Sequence, residues 1–255
     1  MSAWRIFSIS VQSSWRRFIP VLKLGWPVFI VLHVLSFSLE QIFDHQQNLV
    51  LSAGRENWST LAPLFIGSSL SELFMTNLWL IAIVTLVRAP ASLSFSQGPE
   101  QVWLAATTSF NALLVESIRA LASVLRWIPL LLVPGLIRYL QFLFVPYVVL
   151  TNPSYSQGQV DALALSTQLS KGRWGLLLVC LLLVTLGPYL LGLPVHGGND
   201  SAFENLGPTL LWGFLTLFIN LFCSLFLFSI FENLSTKVSI GDSHVDFQLD
   251  RHSPA

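Results

Sequence analysis

The chain has 255 residues, of which 53% are hydrophobic and only 10% charged, with a mean hydropathy of +0.67. That is less than half the roughly 25% charge of an ordinary soluble domain, so water is not its main solvent. Thirteen Lys and Arg balance thirteen Asp and Glu, which excludes the basic footprint of a nucleic-acid binder and gives no pull towards acidic partners.

The N-terminal stretch carries Trp4, Trp15 and the arginines Arg5, Arg16 and Arg17, and no A-x-A site follows the first apolar run. A cleavable signal peptide is therefore not expected, and the first apolar helix should stay as an anchor. Residues 3–20 read as an amphipathic leader. Trp4, Phe7, Val11, Trp15, Phe18 and Leu22 recur at spacings of three and four, with Ser8, Gln12, Ser13, Arg16 and Arg17 on the other sides. Two placements satisfy such a stripe: flat on the inner leaflet with its arginines near anionic headgroups, or packed on the helix bundle.

A helix crossing a hydrocarbon core about 30 Å thick needs about 20 mostly apolar residues. Residues 21–39 carry only Lys23, 61–87 carry only Glu72, and 174–193 and 207–231 carry no charge. All four should be helical, because lipid offers the backbone no other hydrogen-bond partner. The middle is less regular: 120–150 is apolar apart from Arg126 and Arg138 but is interrupted by Pro134-Gly135, a turn signal. Each half is too short to cross alone. Either the first half extends back through 103–119 as a long tilted helix, or the two form a re-entrant hairpin; two crossings are favoured. Residues 159–171 read as a short amphipathic helix leading into the fifth crossing.

The sum is an all-α membrane bundle of about six transmembrane helices, a single domain over 1–232 followed by a flexible polar tail over 233–255. Placing the N-terminus in the cytoplasm puts Arg5, Arg16, Arg17, Lys23, Arg88, Lys171, Arg173, Lys237 and Arg251 inside and only Arg55 outside. Both termini are therefore expected in the cytoplasm. Cys180 and Cys223 each lie within an apolar run and read as small buried hydrophobes rather than a disulfide or zinc site.

From Val133 to Tyr189 the features follow a more specific order: Pro134-Gly135, Tyr139, Pro146-Tyr147, Asn152-Pro153, then Ala162, Ala164, Ser166, Leu169, Gly172 and Trp174. This resembles an uncharacterised bacterial family of integral membrane proteins, similar also to the membrane region of some glycerophosphodiester phosphodiesterases. Here Ala164-Leu165-Ser166 compresses that family's Ala-Leu-x-x-Ser spacing. The resemblance implies a six-helix domain in a bacterial inner membrane and carries over no catalytic residue.

There is no H-E-x-x-H, G-x-S-x-G, P-loop or C-x-x-C in the chain, which weighs against an enzyme without excluding one. Attention falls instead on polar residues inside apolar helices, which are costly in lipid and mark either function or buried pairing. Ser68, Glu72 and Thr76 share one helix face, with Asn77 beside them; Arg126 and Arg138 are the available cations, and His33 and Asn220 lie within the first and last crossings. Glu72 is expected to face the interior and pair with Arg126 or Arg138, or else to be protonated and hydrogen-bonded. Asp242, His244 and Asp246 alternate in the tail, but a flexible tail explains them better than a metal does. No cofactor or metal is expected. The leading expectation is a non-catalytic scaffold or accessory subunit of the cell envelope, with the bilayer and a membrane-protein partner as its contacts. A small transporter or lipid-handling protein using the polar face around Glu72 is the first alternative, and a membrane-embedded lipid enzyme the second.

Overall fold

The computed structural model describes residues 3–52, 58–90, 93–127, 132–182 and 206–242, and every regular element among them is helical. In chain order these are α1 (Ala3–Ser52), α2 (Trp58–Arg88), α3 (Gln97–Leu125), α4 (Leu132–Phe142), α5 (Val145–Thr151), α6 (Pro153–Ser156), α7 (Ala162–Ser170), α8 (described over 174–182) and α9 (Leu206–Asp242). Five helical stretches are long and apolar enough to cross a membrane: Trp4–Ser52, Leu61–Arg88, Gln97–Leu125, Val133–Thr151 and Phe214–Thr236. The expected crossing over 174–193 starts as a helix at Trp174, but its larger part lies outside the described residues.

The central segment resolves into two helical stretches long and apolar enough to cross a membrane, Gln97–Leu125 and Val133–Thr151, so the connection between them precedes Pro134-Gly135, and the second stretch carries a break of its own. The helix running back through 103–119 does form, as α3, and it ends at Leu125. Pro134-Gly135 is not the turn; it lies in the first helical turn of α4, where the missing proline N–H has no intrahelical partner to lose. The proline that does break the chain is Pro146, at the start of α5. It cannot donate to the carbonyl of Phe142, and the chain unwinds over residues 143–144. Ser166 of α7, fully buried, repairs the gap: its Oγ donates to Gln141 O at 2.6 Å and accepts from Phe144 N at 3.2 Å. The amphipathic helix expected over 159–171 is α7, started by the Asp161 side chain accepting from Leu163 N. It ends in a turn where Arg173 N donates to Ser170 O and Gly172 sits at φ +72°, a conformation glycine adopts without strain.

The leader is just over the first third of one 50-residue helix that contains Pro20 and Pro27, and it packs on the bundle against α9. Its buried face is Ile6, Ser10, Ser14 and Val21 rather than the aromatic stripe, and Trp4 and Trp15 are exposed. The aromatics straddle the serine seam instead, with Phe7 edge-on to Phe226 at 5.3 Å and Phe18 against Phe222 at 6.2 Å. Small residues at the contact line let the two backbones approach, which is how helices associate where the solvent is as apolar as they are. The tail boundary also moves: α9 runs on to Asp242, with Leu234 buried and Asn233 bonded across the seam. The remainder of the expected tail lies outside the described residues.

Two apolar cores share α9. One joins Ile6, Leu140, Phe144, Tyr147, Leu169, Leu177, Phe228 and Phe231, and the other joins Val21, Phe29, Ile83, Leu86, Val102 and Leu221. Cys180 is buried and Cys223 half-buried, both as free thiols. Close crossings depend on glycine at two places. A Cβ on Gly25 would stand 2.2 Å from the Leu86 Cδ1 atom, and one on Gly98 would stand 2.4 Å from the carbonyl oxygen of Leu24. Beyond these contacts α1 and α2 expose Val31, Val34, Phe37, Phe65, Ile66 and Leu70, an apolar surface suited to hydrocarbon rather than water.

Candidate functional site: buried polar contacts between helices

Ser68, Glu72 and Thr76 do share a face of α2, but that face turns outward: Glu72 and Thr76 are exposed and Ser68 bonds back to Phe65 O of its own helix. Glu72 pairs with neither Arg126 nor Arg138; the ion pairs among the described residues are Arg17–Glu232, Arg119–Glu116 and Arg119–Asp161. Helical geometry gives the reason. Asn77 lies five residues on, about 140° around the helix from Glu72, and Asn77 is the residue turned inward. It is 1% exposed and accepts from Ser117 Oγ of α3 at 3.1 Å, while its Nδ2 has no partner.

Arg126 is exposed just beyond α3. Arg138 donates to Gln141 Oε1 of its own helix at 3.1 Å, with its guanidinium 5.6 Å from the centre of the Trp127 ring just beyond α3. His33 is half-buried on α1 and Asn220 half-buried on α9. The structure thus scatters the expected cluster over separate surfaces, leaving Asn77 as the member that reaches the interior. Neither the hollow of about 530 Å³ along the leader nor the groove of about 410 Å³ between α1, α2 and the connection into α3 is lined by Glu72.

Two other polar groupings occupy the helix contacts. The first is the seam between α1 and α9. Ser14 Oγ lies 2.6 Å from Ser10 O and 3.2 Å from Ser229 Oγ, and Asn233 Nδ2 donates to Ser10 Oγ at 3.1 Å and to Ser229 O at 2.9 Å. Arg17 closes its edge on Glu232. Both of those side chains are about one-third exposed, 35% and 38%, so the pair is worth about 0–1 kcal/mol. It sets register more than it adds strength.

The second grouping ties α3 to the segment around α6 and α7. Arg119 grips Asp161 at 2.9 and 3.4 Å, and its other neighbour is the largely buried Glu116 at 3.5 Å. Glu116 also accepts the Tyr155 hydroxyl at 3.3 Å. Burial first, and the Glu116 carboxylate second, push the Tyr155 phenol above its ordinary value, so it stays protonated and donating around neutral pH. Two carboxylates share the one Arg119 guanidinium, which ties α3 to the cap of α7. Among the described residues no group of three His, Cys, Asp or Glu is placed to hold a metal ion.

Sequence reasoning passed over most of these residues, although their signals are present. Ser10–Ser14 in the leader and Ser229–Asn233 at the end of the last apolar run are polar pairs at i, i+4, the pattern of a polar helix seam. Glu116 and Arg119 stand at i, i+3, and Asp161 precedes a helix as a cap. Comparison with protein-family models, with curated proteins and with solved structures finds no match to this chain.

Proposed function

We propose that this chain is a non-catalytic multi-pass protein of a bacterial inner membrane, with both termini cytoplasmic, serving as a scaffold or accessory subunit of the cell envelope. The observation that carries the reading is where its interhelical polar groups are used. Arg17 with Glu232, Arg119 with Glu116 and Asp161, and the serine and asparagine seam bind one helix to another. Polar groups engaged this way, Ser10, Ser14, Ser229 and Glu116 buried among them, fix helix packing rather than wait for a substrate. Helix length adds support: at 1.5 Å per residue α1 spans roughly 75 Å, against a hydrocarbon core of about 30 Å. Much of it therefore stands clear of the lipid, where a partner can be met. The resemblance to uncharacterised bacterial membrane proteins and the Lys and Arg distribution support the compartment and the orientation.

Isolation of a tagged full-length chain in mild detergent is expected to bring down a membrane-protein partner in fixed stoichiometry. Recovery of the chain alone, combined with turnover of an added lipid, would reject the scaffold for an enzyme. Reporter fusions after Arg88, Gly172 and the C-terminus are expected to register cytoplasm, and those near Ala53 and Gly198 periplasm. A periplasmic C-terminus contradicts the orientation.

A further inference from the structure

The groove of about 410 Å³ between α1, α2 and the connection into α3 has an unusual lining. Three cations, Arg16, Arg17 and Lys23, stand on it, and among the described residues every other lining side chain is apolar, Leu24, Leu86 and Phe95 among them. Its walls follow from packing already described. α1 and α2 touch at Gly25 and Leu86, the start of α3 is drawn against the Leu24 carbonyl at Gly98, and Phe95 stacks on Trp26 at 6.1 Å. Arg17 is committed to Glu232, whereas Arg16 and Lys23 enter no ion pair among the described residues.

We infer that this groove binds the phosphate headgroup of an anionic membrane phospholipid, held by Arg16 and Lys23, with the first part of an acyl chain against Leu24, Leu86 and Phe95. Charge complementarity selects an anion, since the lining contains no carboxylate among the described residues. The apolar remainder selects one with a hydrocarbon body: a soluble sugar phosphate would place its hydroxyls against side chains that offer no hydrogen bond. The positive end of α3, beside the groove at Gly98, adds to the same potential. The volume falls in the range of about 300–1,000 Å³ typical of small-ligand sites, enough for a headgroup and the carbons next to it. This inference stands apart from the scaffold reading and is tested separately.

The test is native mass spectrometry of the full-length protein released from detergent, titrated with a phosphatidylglycerol and a phosphatidylcholine of identical acyl chains. Each basic group beside an anionic lipid contributes roughly fivefold, so with Arg16 and Lys23 together the wild type is expected to retain the first phosphatidylglycerol at about 25-fold lower concentration. Arg16→Gln combined with Lys23→Gln is expected to bring the two lipids within about twofold, while Arg126→Gln leaves the preference intact. Inorganic phosphate is expected not to displace the lipid. Equal retention of both lipids by the wild type overturns the inference, as does an equal loss in Arg126→Gln, which would mark general surface charge. Displacement by inorganic phosphate would assign the groove to a free anion and overturn it too. If the double variant fails to fold, Leu93→Trp, which fills the groove from its loop wall, should lower phosphatidylglycerol retention to the phosphatidylcholine level. Unchanged retention in that variant is the contrary result.

Discussion

Gly98→Ala is expected to destabilise the detergent-solubilised protein by about 2–3 kcal/mol, near the upper end of the range for overpacking. The new Cβ would stand 2.4 Å from the Leu24 carbonyl oxygen, a backbone atom that cannot rotate away. Relief requires α3 to move off α1, which also disturbs Val102 in the shared core. Gly25→Ala should be milder, because its nearest obstacles are the ends of the Leu86 and Phe29 side chains. Gly175 has nothing within 4 Å of an added Cβ, and alanine there should be neutral or gain about 0.5–1 kcal/mol in its helix. Thermal unfolding of the three variants side by side checks the ranking; a Gly98→Ala protein as stable as Gly175→Ala would show that α1 and α3 are not in contact there.

Ser166→Ala should cost about 2–4 kcal/mol for the loss of a single oxygen. That oxygen serves two backbone groups at once, Gln141 O and Phe144 N, and each buried group left without a partner costs about 1–3 kcal/mol. Ser170→Ala is the matched comparison. The Ser170 hydroxyl is also buried, but it donates only to Ser166 O and Thr167 O within its own helix, so its loss should cost under about 1 kcal/mol. Amide hydrogen exchange should then quicken at Phe144 in Ser166→Ala and stay slow in Ser170→Ala. Equal effects of the two changes would mean that the α4–α5 break holds itself without α7.

The apolar helices were legible in the sequence because hydropathy over twenty residues reports directly on the solvent a helix can tolerate. Pro134-Gly135 misled because proline breaks a helix only where its missing N–H was needed. In the first turn of α4 it was not, and at Pro146, inside what looked like one apolar run, it was. The polar face of Glu72 misled for a different reason. Spacing tells which residues share a face, as Ser68, Glu72 and Thr76 do, but not whether that face turns in or out. Asn77, noted as a neighbour, was the better guide to the interior. Ser229 passed unread because an isolated serine barely alters the hydropathy of an apolar helix, and Ser10 and Ser14 because they are lost among the other polar residues of the leader, Ser8, Gln12 and Ser13. Their significance comes from the partner helix, more than two hundred residues away in the chain.

The 50-residue helix α1 also has a mechanical consequence. Its leader is clamped to α9 through Ser10, Ser14 and Arg17, while its far half carries α2 along, with Gly67 seated against Phe43. No loop lies between these two attachments to absorb strain; the softest points are Pro20 and Pro27, where the internal hydrogen-bond ladder lacks a rung. From Pro27 to Ser52 the lever arm is roughly 38 Å at the helical rise, so a hinge of about 10° swings the far tip by roughly 6–7 Å. Whatever shifts the leader against α9 thereby repositions the α1–α2 tip at the opposite end of the helix, as a beam turning on its fulcrum.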